Sequence, residues 1–305
     1  MLNIVFMGNA DFAIPSLKLL REHHNIKVVV TNPDKVQGRG RKIQGTPVKD
    51  YCIENNIPIL QPEKLRNEEF IETLKSQNAD VFVVIAFRML PKVIWNMPPM
   101  KTINLHGSLL PDYKGAAPIH RAIMDGQIMT GVSTFIINEN IDEGQILLQD
   151  EEPIDFKDTF TSLSNRLKYK GADLILKTIN ELEKGLLTPL KIDNSKMIHY
   201  ASKIEPDDCQ IDWNKSSIEV YNFIRGLSDT PCAWTYIDNV RHKIFEAEIS
   251  ENTELNPGEI KVDKKHFVIG TRDKAISILS IQKESKKRMN ISEYLAGYMN
   301  QLKKS

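Results

Sequence analysis

The sequence is short of cysteine, short of aromatics and without net charge, and it contains no long apolar run. Its three cysteines, Cys52, Cys209 and Cys232, are scattered through 305 residues. Their number is odd and their spacing suits no tetrahedral metal set. Neither a disulfide framework nor a structural zinc is therefore expected, and a reducing cytoplasm is the expected home. Lys+Arg and Asp+Glu each number 40, so attraction for nucleic acid has to come from local patches. No stretch has the length of a transmembrane helix, and residues 1–7 read as an apolar strand, not as a basic n-region with a cleavage site. A membrane partner is not expected. The G-x-G-x-x-G fingerprint is missing too; a single Gly8 after the first strand argues only weakly for dinucleotide binding.

What is present suits a globular chain of two domains. A chain 41% hydrophobic and 26% charged, at this length, can bury a substantial core. Residues 3–7 read as a buried strand, 8–11 as a turn, 12–23 as an amphipathic helix and 26–31 as a strand. That β-α-β unit predicts an α/β fold with a doubly wound, mostly parallel sheet. Residues 48–55 and 67–77 read as helices with a strand at 57–60 between them. The continuous apolar run at 80–86 (DVFVVIA) suits a central parallel strand covered on both faces. Ligands of such sheets sit outside the carboxyl ends of the strands, which makes 86–90 a candidate pocket wall. Helices follow at 117–124 and 160–184, the second with the periodicity of one that packs on the sheet. His120, on the first of these, reads as a surface or structural residue. After a helix at 217–226, alternating runs at 233–237, 242–247, 258–262, 266–271 and 275–281 predict a small, OB-like β-barrel. The expected division is a domain at 1–190, a linker at 191–206 and a smaller domain at 207–305.

Two stretches carry chemistry. The first, Ile103-Asn104-Leu105-His106-Gly107-Ser108-Leu109-Leu110-Pro111, reads as a strand running into a loop. Asn104 and His106 are two residues apart, so a strand projects both to one face. The second, Asn140-Ile141-Asp142-Glu143-Gly144, follows a strand at 131–137 and presents a carboxylate in a turn. An amide, an imidazole and a carboxylate together can bind an oxyanion, move a proton and orient the base. Taken alone, each has an ordinary alternative: a histidine satisfied within the structure, and an Asp-Glu-Gly that is merely a turn.

The wording of these stretches is more specific than their spacing. Asn104 to Pro111, Tyr113-Lys114-Gly115-Ala116-Ala117-Pro118-Ile119 and Ile141-Asp142-Glu143-Gly144-Gln145-Ile146-Leu147 together resemble the folate-dependent formyltransferases. The resemblance implies a catalytic trio at Asn104, His106 and Asp142. It implies a folate wall at Ala86, Phe87, Arg88, Met89 and Leu90, with Ser108, Leu109, Leu110 and Pro111 lying along the co-substrate. It also implies 10-formyltetrahydrofolate as formyl donor with no metal, a Rossmann-like catalytic domain at 1–190 and an RNA-binding domain at 207–305. A monomer is expected.

The segment 34–49 (DKVQGRGRKIQGTPVK) holds Lys35, Arg39, Arg41, Lys42 and Lys49 among glycines, with no acid after Asp34. Its composition reads as a mobile basic loop, either a solvated surface loop or a clamp for an RNA backbone. In the family, such a loop marks the members that act on charged tRNA. The resemblance therefore implies initiator methionyl-tRNA as acceptor, with Arg39, Arg41 and Lys42 as contacts. Lys203, in Ala201-Ser202-Lys203-Ile204, is a further candidate, as are Lys286 and Lys287 in the basic tail, which reads equally as a solvated helix face. Asn9-Ala10, Asp229-Thr230-Pro231 and Glu284-Ser285 depart from the family pattern. Other readings stay open: formyl transfer to a small amine, hydrolysis of the formyl-folate, or RNA binding without catalysis.

Overall fold

The computed structural model describes every residue except 38–41, 140–141, 252 and 303–305. The chain forms two compact units interleaved in sequence: Met1–Gly115, Thr130–Glu152 and Ser164–Tyr200 make the first, and Ala116–Met129, Pro153–Leu163 and Ala201–Ser305 the second.

The strand Val81–Ile85 lies deep in the first unit. All five residues are buried, as a β-branched and aromatic run must be when both sheet faces are covered. Asn3–Gly8 and Thr102–His106 flank it in parallel. Asn25–Val30 and Ile59–Leu60 continue the parallel array beyond Asn3–Gly8. On the other side Met129–Ile136 is antiparallel to Thr102–His106, and Gln145–Pro153 and Leu190–Lys191 complete an eight-stranded sheet. The chain thus winds outward from Asn3–Gly8, returns to Val81–Ile85 and winds the opposite way. The fold is the doubly wound, mostly parallel one expected. Its strand order reverses between Asn3–Gly8 and Val81–Ile85, where such sheets hold their ligands.

Helices cover the sheet for local reasons. Glu68–Lys75 starts where the Asn67 side chain accepts the Phe70 amide, and it buries Phe70 and Leu74. The long helix Phe160–Glu183 lies on Thr102–His106: a Cβ on Gly171 would stand 2.7 Å from Cδ2 of Leu105. The Thr178 and Thr134 hydroxyls meet at 2.8 Å on the same side. Leu105 therefore faces this helix, and strand alternation turns Asn104 and His106 to the other face.

Some elements differ from the sequence reading. The basic segment is not an open loop throughout: Lys35–Gln37 and Lys42–Gln44 pair as an antiparallel hairpin, and Lys49 is engaged by Asp34 at 2.6 Å. Gln145–Pro153 is a strand despite lacking alternation, because only Ile146 and Leu147 of it are buried. Short helix Lys92–Trp95 and helix Ile291–Leu302 are further additions.

The second unit holds a six-stranded antiparallel sheet in the order Ala233–Ile237, Val240–Ser250, Ala275–Lys283, Phe267–Gly270, Ile260–Val262, with Met289–Asn290 joined to Ala275–Lys283. Register shifts at Ile244, Glu246 and Ala247 curl it. Ser217–Leu227 starts with a capping box between Ser216 and Glu219 and packs in the same core as Trp234, Phe267 and Tyr294. Pro118–Met124 packs on it, since a Cβ on Gly226 would stand 2.7 Å from Cγ of Met124. His120 stacks on Phe160 and bonds the Gly226 carbonyl at 2.7 Å. Burial outweighs that bond and holds its pKa below the ordinary histidine value. Among the described residues no helix is long and apolar enough to cross a membrane.

Gly131 shows how tightly the first unit's sheet is drawn together. A Cβ there would stand 2.2 Å from the Asp150 carbonyl oxygen, and a backbone atom cannot swing aside as a side chain can. Gly131→Ala is expected to destabilise the protein by about 1–3 kcal/mol. Urea unfolding checks this; an unchanged midpoint would mean that the two strands part there at no cost.

Candidate active site

His106 ends its strand with its side chain only 8% exposed. Its Nε2 lies 2.9 Å from the Tyr113 carbonyl oxygen. A carbonyl can only accept, so Nε2 carries hydrogen and donates. Nδ1 is the nitrogen left for chemistry, and Asp142 Oδ2 lies 3.8 Å from it. That is too long for a direct hydrogen bond but close enough, away from bulk water, for the carboxylate to stabilise a positive ring. Asn104 is half-buried on the same face, and among the described residues its side-chain amide makes no hydrogen bond. It has both N–H groups to offer.

The loops that bring these groups together are held from several directions. Asp142 Oδ2 accepts the Gly115 amide at 3.1 Å, and Lys114 pairs with Glu143 beside it. Gly144 follows directly; a Cβ there would stand 1.6 Å from the Ile136 carbonyl oxygen, so only glycine lets the loop return so close to the strand. Tyr113 (φ 53), Asp142 (φ 51) and Ala86 (φ 49) all lie in the left-handed region without being glycine. Each costs on the order of 1 kcal/mol and persists only where surroundings over-determine it.

Ser133 pairs with His106 in the antiparallel register, and its hydroxyl is fully used. It donates to the Ser108 carbonyl at 2.6 Å and accepts the Leu110 amide at 3.0 Å and Gln149 Nε2 at 2.8 Å. Gln149 Nε2 also donates to the Leu110 carbonyl at 2.9 Å. Ser133 and Gln149 had no signal in the sequence as site residues, since their roles depend on which strands pair; Lys114 and Glu143 stand within the quoted motifs, but nothing along the chain shows that they pair with each other.

The proposed folate wall begins at the switch point. Gly8 stands in register with Ile85, and its would-be Cβ is 3.0 Å from the Ile85 carbonyl. Next to it the Asn9 side chain accepts the Asn32 amide at 2.8 Å and the Thr31 hydroxyl at 3.2 Å, which gives that departure from the family pattern a local task. Residues 87–90 make no backbone–backbone hydrogen bonds among the described residues, so their peptide groups can serve a heterocycle with many donors and acceptors. Arg88 turns away, to the carbonyls of Glu63 and Pro62. Leu90 is buried, Phe87 packs on the same cluster and Met89 is exposed. Ser108 and Leu110 point inward, Ser108 to the Asp112 carbonyl at 2.7 Å and Leu110 into a cluster with Phe135, Ile146 and Ile192. Ile137 packs against both apolar clusters, linking the two halves of the wall.

The basic candidates are more dispersed. Arg39 and Arg41 lie outside the described residues, and Lys42 opens the second hairpin strand. In the second unit Lys203 is exposed and pairs with Glu205 at 2.6 Å. Lys286 and Lys287 are exposed in the turn before Met289–Asn290. Arg288, next to them in sequence, is engaged by Asp229 and Glu246, acids that the fold brings in from elsewhere.

Two family models match the chain, one after the other along the sequence. The formyl transferase family model matches residues 2–179, and the formyl transferase C-terminal domain model matches residues 203–299. The methionyl-tRNA formyltransferase of Porphyromonas gingivalis is 42% identical over 311 residues, covering 97% of this chain and 96% of the relative. Among solved structures, WlaRD, a sugar 3N-formyl transferase in the presence of dTDP and 5-N-formyl-THF, has a TM-score of 0.68 at 26% identity, covering 94% of this chain and 99% of that one. HypX from Aquifex aeolicus, in complex with tetrahydrofolic acid, has a TM-score of 0.68 at 18% identity. That match is a likeness of fold that covers 98% of this chain and 47% of HypX, so this chain spans about half of HypX.

Removing the Ser133 hydroxyl would strand the Leu110 amide and loosen the turn that follows His106. Ser133→Ala is expected to cost about 1–3 kcal/mol, the penalty for a buried donor left without a partner. Thermal unfolding measures the loss. A melting temperature equal to that of the parent protein would mean that the turn finds another partner.

Proposed function

The chain belongs to the formyl transferase family, and from that premise we propose that it transfers the formyl group of 10-formyltetrahydrofolate to the α-amine of methionine on initiator tRNA. Support for the acceptor comes from the near-complete coverage of relatives named methionyl-tRNA formyltransferase. Translation initiation would place the activity in the cytoplasm, in keeping with three buried free thiols. For the chemistry, the observation that carries the reading is the unengaged Asn104 amide beside an imidazole with Nε2 already committed and Nδ1 facing Asp142.

In this reading the folate lies along residues 86–90 and 108–111 with its formyl group before Asn104 and His106. The neutral amine attacks the formyl carbon, and the carbonyl oxygen becomes a tetrahedral oxyanion. Asn104 donates to that oxygen, as does the Nδ1–H of charged His106, each donor contributing roughly 3 kcal/mol in a water-poor site. Asp142 stabilises the charged ring and, directly or through a water, takes the proton that the attacking amine must lose. That proton, passed on to N10, breaks the C–N10 bond and releases tetrahydrofolate. The reaction needs no covalent enzyme intermediate. The segment carrying Arg39, Arg41 and Lys42 would meet the tRNA backbone, with Lys203, Lys286 and Lys287 on the second unit. Lysine and arginine side chains suit phosphate contacts.

The deciding assay offers 10-formyltetrahydrofolate with methionyl initiator tRNA, free methionine, a nucleotide-linked amino sugar and water as separate acceptors. Formylation of the charged tRNA alone is the expected outcome. Transfer to the sugar, or folate consumption without an acceptor, would keep the chemistry and replace the substrate.

Asn104→Ala, His106→Ala and Asp142→Ala are each expected to lower kcat by about 100- to 1,000-fold while folate binding persists. Calorimetric titration and single-turnover kinetics separate the two effects; near-normal kcat would remove that residue from the mechanism. Arg39→Ala is expected to raise KM for tRNA by about tenfold, the worth of one or two lost charge-assisted contacts, and to leave KM for folate alone. Equal changes in both constants would argue against a tRNA-directed role.

A further inference from the structure

Asp112 and His199, 87 residues apart in sequence, meet next to Tyr113. Oδ1 of Asp112 accepts the amides of Ile198 at 3.1 Å and His199 at 2.6 Å, and Oδ2 lies 2.9 Å from His199 Nδ1. Burial alone would raise the Asp112 pKa, but these hydrogen bonds together outweigh it and hold the carboxyl below the usual range. As an anion accepting all three, it leaves His199 Nδ1 as the donor.

His199 then grips Tyr113 twice. Its carbonyl accepts the Tyr113 amide at 3.0 Å, and its ring stacks on the tyrosine ring with centroids 4.8 Å apart and planes 9° from parallel. The other end of the same residue serves the candidate site, where the Tyr113 carbonyl takes His106 Nε2 at 2.9 Å and the Ser108 hydroxyl at 3.4 Å. Tyr113 sits at φ 53, a conformation that a bulky residue leaves unless held. Any relaxation there would swing the carbonyl away from His106.

We propose that His199, anchored by Asp112 and stacked on Tyr113, is a positioning residue for His106. It keeps the Tyr113 carbonyl on Nε2 and so reserves Nδ1 for Asp142 and the reacting centre. The proposal rests on the catalytic reading of His106, but its geometric part can be read without turnover. An anchor that merely ties residues 198–199 to the first unit would leave the tautomer of His106 unchanged.

The test uses the full chain labelled with 15N-histidine, with the His106 signals identified by their loss in His106→Ala. The parent protein is expected to show His106 protonated at Nε2 when the ring is neutral. In His199→Ala the 15N pair should move away from that pattern. The same variant should lose about 10- to 100-fold in kcat, the usual scale for a misplaced catalytic group, with KM for folate nearly unchanged. His199→Phe, which retains a stacking ring, should recover part of the loss. Unaltered His106 signals in His199→Ala, or a change confined to KM, would overturn the proposal. If His199→Ala does not fold, Asp112→Asn takes its place, because it removes the anionic anchor while preserving shape, and it is judged by the same signals. Retained turnover in His106→Ala would instead defeat the catalytic reading, and a shifted tautomer would still support the positioning.

Discussion

The hydrogen bond from His106 Nε2 to the Tyr113 carbonyl decides what the rest of the site can do. An imidazole has two nitrogens, and a permanent backbone acceptor on one leaves the other as the only working atom. The Asn104 amide, the Asp142 carboxylate and the Gly115 amide that holds it all become meaningful around that remaining nitrogen. Because the acceptor is main chain, no side-chain substitution at 113 can delete it; only a change in backbone conformation can. Hence the concentration of restraints around a short turn: Ser108, Ser133, Gln149 and the Asp112–His199 pair all bear on residues 106–113.

Much of the fold was legible because its signals are local. A run such as 80–86 can be satisfied only inside a covered sheet, and alternation alone put Asn104 and His106 on one face, opposite to the Leu105 that packs on Gly171. The strands of the second unit were legible for the same reason, with boundaries moved by a few residues. The strand Gln145–Pro153 was not, because most of it faces away from the core and carries no apolar period.

The candidate site was legible as a trio and illegible as a mechanism. Ser133 enters only through the antiparallel pairing of Met129–Ile136 with Thr102–His106, and His199 only through a closure of 87 residues. The Tyr113 carbonyl has no sequence signature at all. Charge is hard to read along the chain for the same reason: Arg288 follows two lysines in sequence, yet Asp229 and Glu246 pair with it in space. Lys49 likewise belongs to Asp34. A tally of basic residues overstates what remains for phosphate, and burial and pairing are what correct it.

The grip on Tyr113 also sets where this chain can be cut. Residues 198–199 fall at the end of the first unit, just before the second resumes at Ala201. A minimal catalytic fragment ending near residue 190 would retain the parallel strands, Asn104, His106 and Asp142, and would omit the partner that orients the turn between them. Such a fragment would carry the right residues in the wrong poise. On the positioning proposed for His199, the stretch that carries it belongs with the candidate site, and shortening it would reach the turn at Tyr113.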